Sequence, residues 1–267
     1  KKNKINRREI KLLIKLAKKN GINKIDTSPS YKNSEKLIGV FKHKNLQITT
    51  KISKIPEKIS TNQVKIWVNK MIINSFKNLK VKKINCILIQ NSDVLLSKKG
   101  LFIYDALKKL KIDKKISKIG ISIYDFKNLN IILKKFKIDL VQVPLNIFDR
   151  RLIKTGWINK FRKKNIEVHV RSIFLQGLLF LRSHQLPKRF KQYNFIWKKW
   201  EKWQIENKSN PLQGCLSLVK KHPQIKGVVI GFNNSEQLKN ILKIKNFISK
   251  TPSIAIKNQN IFNRIKW

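Results

Sequence analysis

The sequence predicts an α/β protein of the (β/α)8 TIM-barrel class whose first strand has no counterpart before Lys1. Three observations predict it. Seven short strand-like apolar runs recur along the chain, amphipathic helices lie between most of them, and no G-x-G-x-x-G follows the first run. A doubly wound dinucleotide-binding sheet would usually carry that glycine-rich turn. Seven strands preceded by a helix complete a barrel if an eighth strand stands ahead of that helix. A barrel short of one strand leaves two open edges, which is costly. The expectation is therefore one N-terminally truncated domain over residues 1–267, and the chain does not open on Met.

Taken in order, Ile10, Leu13, Ile14 and Ala17 recur at helical spacing over 6–19, and Asn20-Gly21 supplies a helix stop. Strand-like runs follow at 22–25, 46–49, 84–89, 116–121, 140–143, 166–170 and 228–230. Helices are expected over 34–41, 61–79, 101–111, 126–136 and 235–245, with Ser60 or Thr61 capping the second and Ser235 the last. On 61–79, Val64, Trp67, Val68, Met71, Ile72 and Phe76 share one face; on 126–136, Leu129, Ile132, Leu133 and Phe136 do. A long departure, 178–225, holds helices at 189–206 and 211–221. Trp197, Trp200 and Trp203, spaced by three, form a packing face on the first of these.

Length and a 41% hydrophobic content allow a full core. Cys86 and Cys215 both fall in apolar patterns, as core residues of a reducing compartment do. No run approaches a membrane span, and the basic start Lys-Lys-Asn-Lys lacks the apolar segment of a signal peptide, so a cytoplasmic protein is expected. The 61 Lys and Arg against 14 Asp and Glu give a net charge of +47, but the lysines are spread over nearly every helix and loop. That distribution reads as compositional drift beside frequent Ile and Asn, and not as a specific nucleic-acid footprint.

A barrel carries its chemistry at the C-terminal ends of its strands. Polar residues stand at each of those ends: Asp26, Lys51, Gln90, Ser122, Gln142, Arg171-Ser172 and the loop from Gly231 to Asn234. Asp26, Tyr31 and Lys51 make chemical sense together, because an ammonium beside a phenol stabilises the phenolate and a carboxylate holds the ammonium in place. From spacing alone, a surface tyrosine beside a structural Asp–Lys pair is the favoured reading. His169 lies inside a strand pattern and reads as structural.

The segment Gly21-Ile-Asn-Lys-Ile-Asp-Thr-Ser-Pro-Ser-Tyr-Lys-Asn-Ser-Glu-Lys-Leu-Ile-Gly39 closely resembles the aldo-keto reductase signature around its catalytic aspartate and tyrosine. The resemblance continues in the family's order through Ile48-Thr-Thr-Lys51, Ile87-Leu-Ile-Gln-Asn91, Ile119-Gly-Ile-Ser122, Leu140-Val-Gln-Val-Pro-Leu-Asn146, Val170-Arg-Ser-Ile-Phe-Leu-Gln-Gly177 and Val229-Ile-Gly-Phe-Asn-Asn-Ser-Glu-Gln-Leu238. It implies a (β/α)8 barrel that reduces small aldehydes and ketones with NADPH or NADH and without a metal. Tyr31 would be the general acid, Lys51 its electrostatic partner and Asp26 the partner of Lys51. Ser122 and Gln142 match positions that hold the nicotinamide carboxamide. Ser172 and Phe174 match the loop passing the pyrophosphate, and Gly231, Asn233 and Gln237 the adenosine end, where a helix N-terminus suits phosphate.

Four departures stand out. Gln90 replaces the family's catalytic histidine; its amide can donate one hydrogen bond but cannot carry a proton. Asn233 stands where arginine often meets the NADP 2′-phosphate, and Ile241, next to Asn240, where asparagine is usual. Ile123 replaces an asparagine beside the nicotinamide, and the first strand has no counterpart. The wording from Glu167 to Gly177 looks most like bacterial relatives linked to cell-surface polysaccharide biosynthesis, which suggests a sugar-derived carbonyl. The alternative that Gln90 raises is a catalytically weak or inactive barrel that keeps the cofactor pocket for sensing or partner binding.

Overall fold

The computed structural model describes residues 7–41, 46–252 and 254. Helix and strand alternate as α1 (Arg7–Lys19), β1 (Lys24–Asp26), α2 (Ser34–Gly39), β2 (Gln47–Ile52), α3 (Thr61–Leu79), β3 (Ile84–Ile89), α4 (Lys98–Ile112), β4 (Ile116–Ser122), α5 (Leu129–Lys135) and β5 (Leu140–Pro144). There follow α6 (Arg151–Lys154), α7 (Trp157–Lys163), β6 (Glu167–Arg171), α8 (Asn194–Glu206), α9 (Pro211–Lys220), β7 (Ile225–Val229) and α10 (Ser235–Leu242). The residues group into two compact units. The first runs to Gln142 and adds 165–167 and 231–239; the second holds 143–164, 168–230 and the residues from 240 on.

In the first unit, α3 keeps the bounds its sequence predicts, while α5 starts three residues later than expected and α2 and α10 stop earlier. The Ser60 side chain accepts from the Gln63 N–H while the Gln63 side chain accepts from the Ser60 N–H, a reciprocal cap on α3. Helix α1 stops at Lys19, just before Gly21, whose φ of +71° suits glycine, and the Ile22 N–H returns to the Ala17 carbonyl at 2.9 Å. The apolar positions of α1 are only half-buried, whereas Val64, Val68 and Ile72 of α3 are buried; Trp67, Met71 and Phe76 beside them are half-buried.

Strands β1 to β5 follow one another in chain order, each parallel to the next. A doubly wound sheet reverses its order at a switch point, and this one does not. The sheet also curls. Asp26 of β1 accepts a 2.8 Å hydrogen bond from Gln142 of β5, although four strand spacings amount to about 19 Å in a flat sheet. Sequential order with that curl is barrel geometry, as the sequence predicts.

The inner face of this sheet is fixed by Gly120. A Cβ there would lie 2.4 Å from Leu88 Cδ2 and 2.7 Å from the Leu140 carbonyl oxygen. Cys86, Leu88 and Leu140 pack together around it as a dry layer. Two residues before Gly120 on β4 stands Lys118, which pairs with Glu167; the other oxygen of Glu167 takes Lys24 of β1 at 3.1 Å. Two residues after Gly120 stands Ser122. Period-two alternation therefore sorts the inner face into a charged lower end, an apolar middle and a polar upper end.

In the second unit, β6 pairs parallel with β7. The tryptophan stripe is core: Trp197 and Trp200 are fully buried, and their indole N–H groups donate to the Leu178 and Leu179 carbonyls, each at 3.1 Å. Trp200 stacks on Trp203 with centroids 5.2 Å apart, and Gly214 of α9 leaves room for the Trp200 ring. Both cysteines are free and buried, and burial pushes their thiols well above the usual range.

Three expectations are corrected. The helix expected over 189–206 begins only at Asn194, after a 3-10 stretch at Lys188–Tyr193. Helices α6 and α7, each too short to show a hydrophobic period, were not expected. The cap of α10 is Asn234 and not Ser235: the Asn234 Oδ1 accepts from the Gln237 N–H at 3.0 Å.

Candidate active site

Asp26, the last residue of β1, projects from the inner face at the upper end and joins two strands to its own. Its Oδ1 accepts from Lys51 Nζ and its Oδ2 from Gln142 Nε2 at 2.8 Å. Lys51 is 4% exposed, and its ammonium also donates to the Thr27 carbonyl at 2.9 Å. Removing a cation so far from water is tolerable only with such partners.

Tyr31 lies on the loop that leaves β1, half exposed, with the Lys51 ammonium 5.3 Å from its ring centroid. The loop is tied closely. The Tyr31 N–H donates to the Ser28 carbonyl and the Ser34 N–H to the Tyr31 carbonyl, both at 3.0 Å. The Thr27 and Ser34 hydroxyls meet at 2.8 Å, and the Thr27 N–H donates to the Thr49 carbonyl of β2 at 2.8 Å. The structure thus brings Asp26, Lys51 and Tyr31 together.

Gln90 follows β3 and is anchored beside β2 by its N–H, which donates to the Ile52 carbonyl at 3.1 Å. Its side-chain Oε1 is buried without a hydrogen-bond partner. An orphaned amide oxygen costs about 1–3 kcal/mol, so this polar group is not accommodated by its surroundings.

Ser122 and Gln142 are register partners on β4 and β5, each 2% exposed. Gln142 serves Asp26 through Nε2, a link that no local sequence signal reveals. Its Oε1 and the Ser122 hydroxyl make no hydrogen bond within the described residues. Adjacent acceptor and hydroxyl groups suit a planar carboxamide, so this pair fits a nicotinamide.

The candidate residues of the second unit sit on an unusual backbone. Ser172 (φ +60°), Leu175 (φ +46°), Gln176 (φ +57°) and Gly177 (φ +91°) are all left-handed. The Ser172 carbonyl accepts from Asn146 Nδ2 at 3.3 Å, and Phe174 packs on Phe180 with centroids 5.1 Å apart.

The loop from Gly231 to Gln237 differs from an open phosphate site. The Asn233 N–H donates to Gln237 Oε1 at 2.8 Å, the Gln237 N–H to Asn234, and the Ser235 N–H to the carboxylate of Glu9 on α1. The Asn233, Ser235 and Gln237 amides are therefore already engaged, and the Ser235 side chain and then its backbone N–H hold the Glu9 carboxyl below its usual range. Asn240 is exposed on α10.

A family model described as the aldo/keto reductase family matches residues 1–256. No curated protein matches the sequence. Among solved structures, the chain is similar to the aldo-keto reductase AKR11C1 from Bacillus halodurans in its holo form, with 20% identity, a TM-score of 0.69, and coverage of 91% of this chain and 82% of that one. It is similar also to the glycerol dehydrogenase AKR11B4 from Gluconobacter oxydans, with 20% identity, a TM-score of 0.68, and coverage of 90% and 81%. At such identities the likeness shows the fold, which is the (β/α)8 barrel of those proteins.

Proposed function

The chain belongs to the aldo/keto reductase family, and on that premise we propose that it reduces a small aldehyde or ketone to an alcohol with NADPH or NADH. The observation that carries the reading is the buried Lys51, paired with Asp26 and set against the Tyr31 ring. A bound nicotinamide would supply the hydride. Ser122 and Gln142 would orient its carboxamide, and Ser172, Phe174, Gly231, Asn233, Gln237 and Asn240 are the remaining residues proposed to line the dinucleotide. Tyr31 gives its phenolic proton to the carbonyl oxygen as the hydride arrives at carbon, which leaves a tyrosinate. The Lys51 ammonium stabilises that anion, and Asp26 keeps the ammonium from turning away. Gln90 donates an amide N–H to the same oxygen.

The substrate class that fits this reading is a polar carbonyl derived from a sugar or a polyol. The wording of 167–177 and the likeness to a glycerol dehydrogenase support it. The protein acts as a single domain in the cytoplasm, without specific nucleic acid. No helix among the described residues is long and apolar enough to cross a membrane.

Titration with NADPH and NADH, followed by nicotinamide fluorescence, tests cofactor use; absence of binding to either would sink the reading. Tyr31→Phe is expected to lower carbonyl reduction by about 10²–10⁴-fold with dinucleotide binding retained. The second reading, a barrel that binds dinucleotide without turnover, is favoured by the orphaned Gln90 oxygen. Equal background rates for the wild type and Tyr31→Phe would select it.

A further inference from the structure

The loop bearing Tyr31 is fastened by a carboxylate that the proposed chemistry does not use. Glu35, four residues after Tyr31, is 3% exposed and forms no ion pair among the described residues, although the chain holds 61 basic side chains. Its Oε1 accepts from the Thr50 hydroxyl at 2.7 Å and its Oε2 from Asn78 Nδ2 at 3.4 Å. Thr50, 1% exposed, immediately precedes Lys51. Helix α2, which carries Glu35, is seated on the end of α3: a Cβ at Gly39 would lie 2.0 Å from the Asn78 carbonyl oxygen.

A buried carboxylate without a cation is costly, and a hydroxyl donor in that setting makes a strong charge-assisted bond with a defined direction. Here the bond joins the segment after the proposed acid to the strand that carries its electrostatic partner. The loop is also tied at its own base, by the Lys51 bond to the Thr27 carbonyl and by short bonds among Thr27, Ser28, Tyr31, Ser34 and Thr49. We propose that Glu35 and Thr50 form a latch that sets Tyr31 against Lys51, and that both are positioning residues for the proton transfer. The inference rests on the reading of Tyr31 as the acid. Neither side chain touches the reacting atoms; they act through the spacing of two that do.

The decisive variant is Thr50→Val, which keeps the shape and removes the donor. Reductions are measured with a simple aldehyde, alongside dinucleotide titration and thermal unfolding. A latch predicts that kcat falls about tenfold to a hundredfold while KM and dinucleotide affinity stay within about twofold, since misplacement by about 1 Å costs rate and not binding. Thr50→Ser, which restores the hydroxyl, recovers most of the rate. Glu35→Asp, which keeps the charge but draws it back from Thr50, reproduces the kcat loss and serves where Thr50→Val does not fold. An unchanged kcat in folded Thr50→Val, or a loss that Thr50→Ser fails to recover, overturns the latch and leaves the reductase reading intact. A wild type that reduces no carbonyl overturns both.

Discussion

Asp26 and Glu167 stand at opposite ends of the same inner face, and each pairs across strands through both oxygens, yet the side chains they meet differ. Glu167 receives a lysine on each oxygen, Lys24 and Lys118, and those lysines are 40% and 33% exposed. Asp26 receives one lysine that is 4% exposed and one neutral amide. At the lower end, two partly hydrated cations share one carboxylate. At the upper end, a single dry cation sits against a tyrosine ring, and the neighbouring strand is followed by Gln90, whose amide oxygen has no partner. The lesson is that an ion pair at a strand end signals chemistry only when its cation is withdrawn from water and a second polar group is left unanswered.

The largest test of that contrast is Lys51→Met. It leaves Asp26 with Gln142 alone, and unfolding free energy should fall by about 3–5 kcal/mol while kcat falls by about 10²–10⁴-fold. Denaturant unfolding and steady-state reduction read the two losses. A stability loss without a rate loss would make the upper cluster a brace like the lower one.

Next comes the matched pair Asp26→Asn and Glu167→Gln. Asp26→Asn should lower kcat by about tenfold to a hundredfold by letting Lys51 turn. Glu167→Gln should leave kcat alone and cost about 1 kcal/mol of stability, as expected for partly exposed lysines. Comparable kcat losses in both would erase the distinction.

Gln90 gives a smaller effect of opposite sign. Gln90→Leu removes an oxygen that is buried without a partner, so stability should rise by about 1 kcal/mol as activity drops. A fall in denaturation midpoint would mean that the oxygen has an answering donor after all. The smallest effect expected is at Glu9. Glu9→Gln frees the start of α10 from a competing carboxylate and should tighten NADPH binding over NADH by about two- to fivefold, read by titration at low salt.

Much of this was visible in the sequence for a physical reason. Strand runs such as 84–89 and the cap at Ser60 are local signals, and the strand runs alone place Asp26, Lys51, Ser122 and Gln142 at C-terminal strand ends. What the sequence does not reveal is long-range. The Gln142 amide meets Asp26 across 116 residues and the Glu9 carboxylate meets Ser235 across 226, and neither partner carries a local mark of its role. The short α6 and α7 escape because four to seven residues hold too little of a helical period to be read.

The layer formed by Cys86, Leu88, Gly120 and Leu140 has a consequence for turnover. It offers neither donors nor acceptors able to relay a proton, and its one thiol is held protonated by burial. This apolar layer separates Lys24, Lys118 and Glu167 from Asp26 and Lys51 along the inner face of these strands. On the proposed chemistry, the proton that Tyr31 gives up is replaced from bulk water through the half-exposed mouth of its loop.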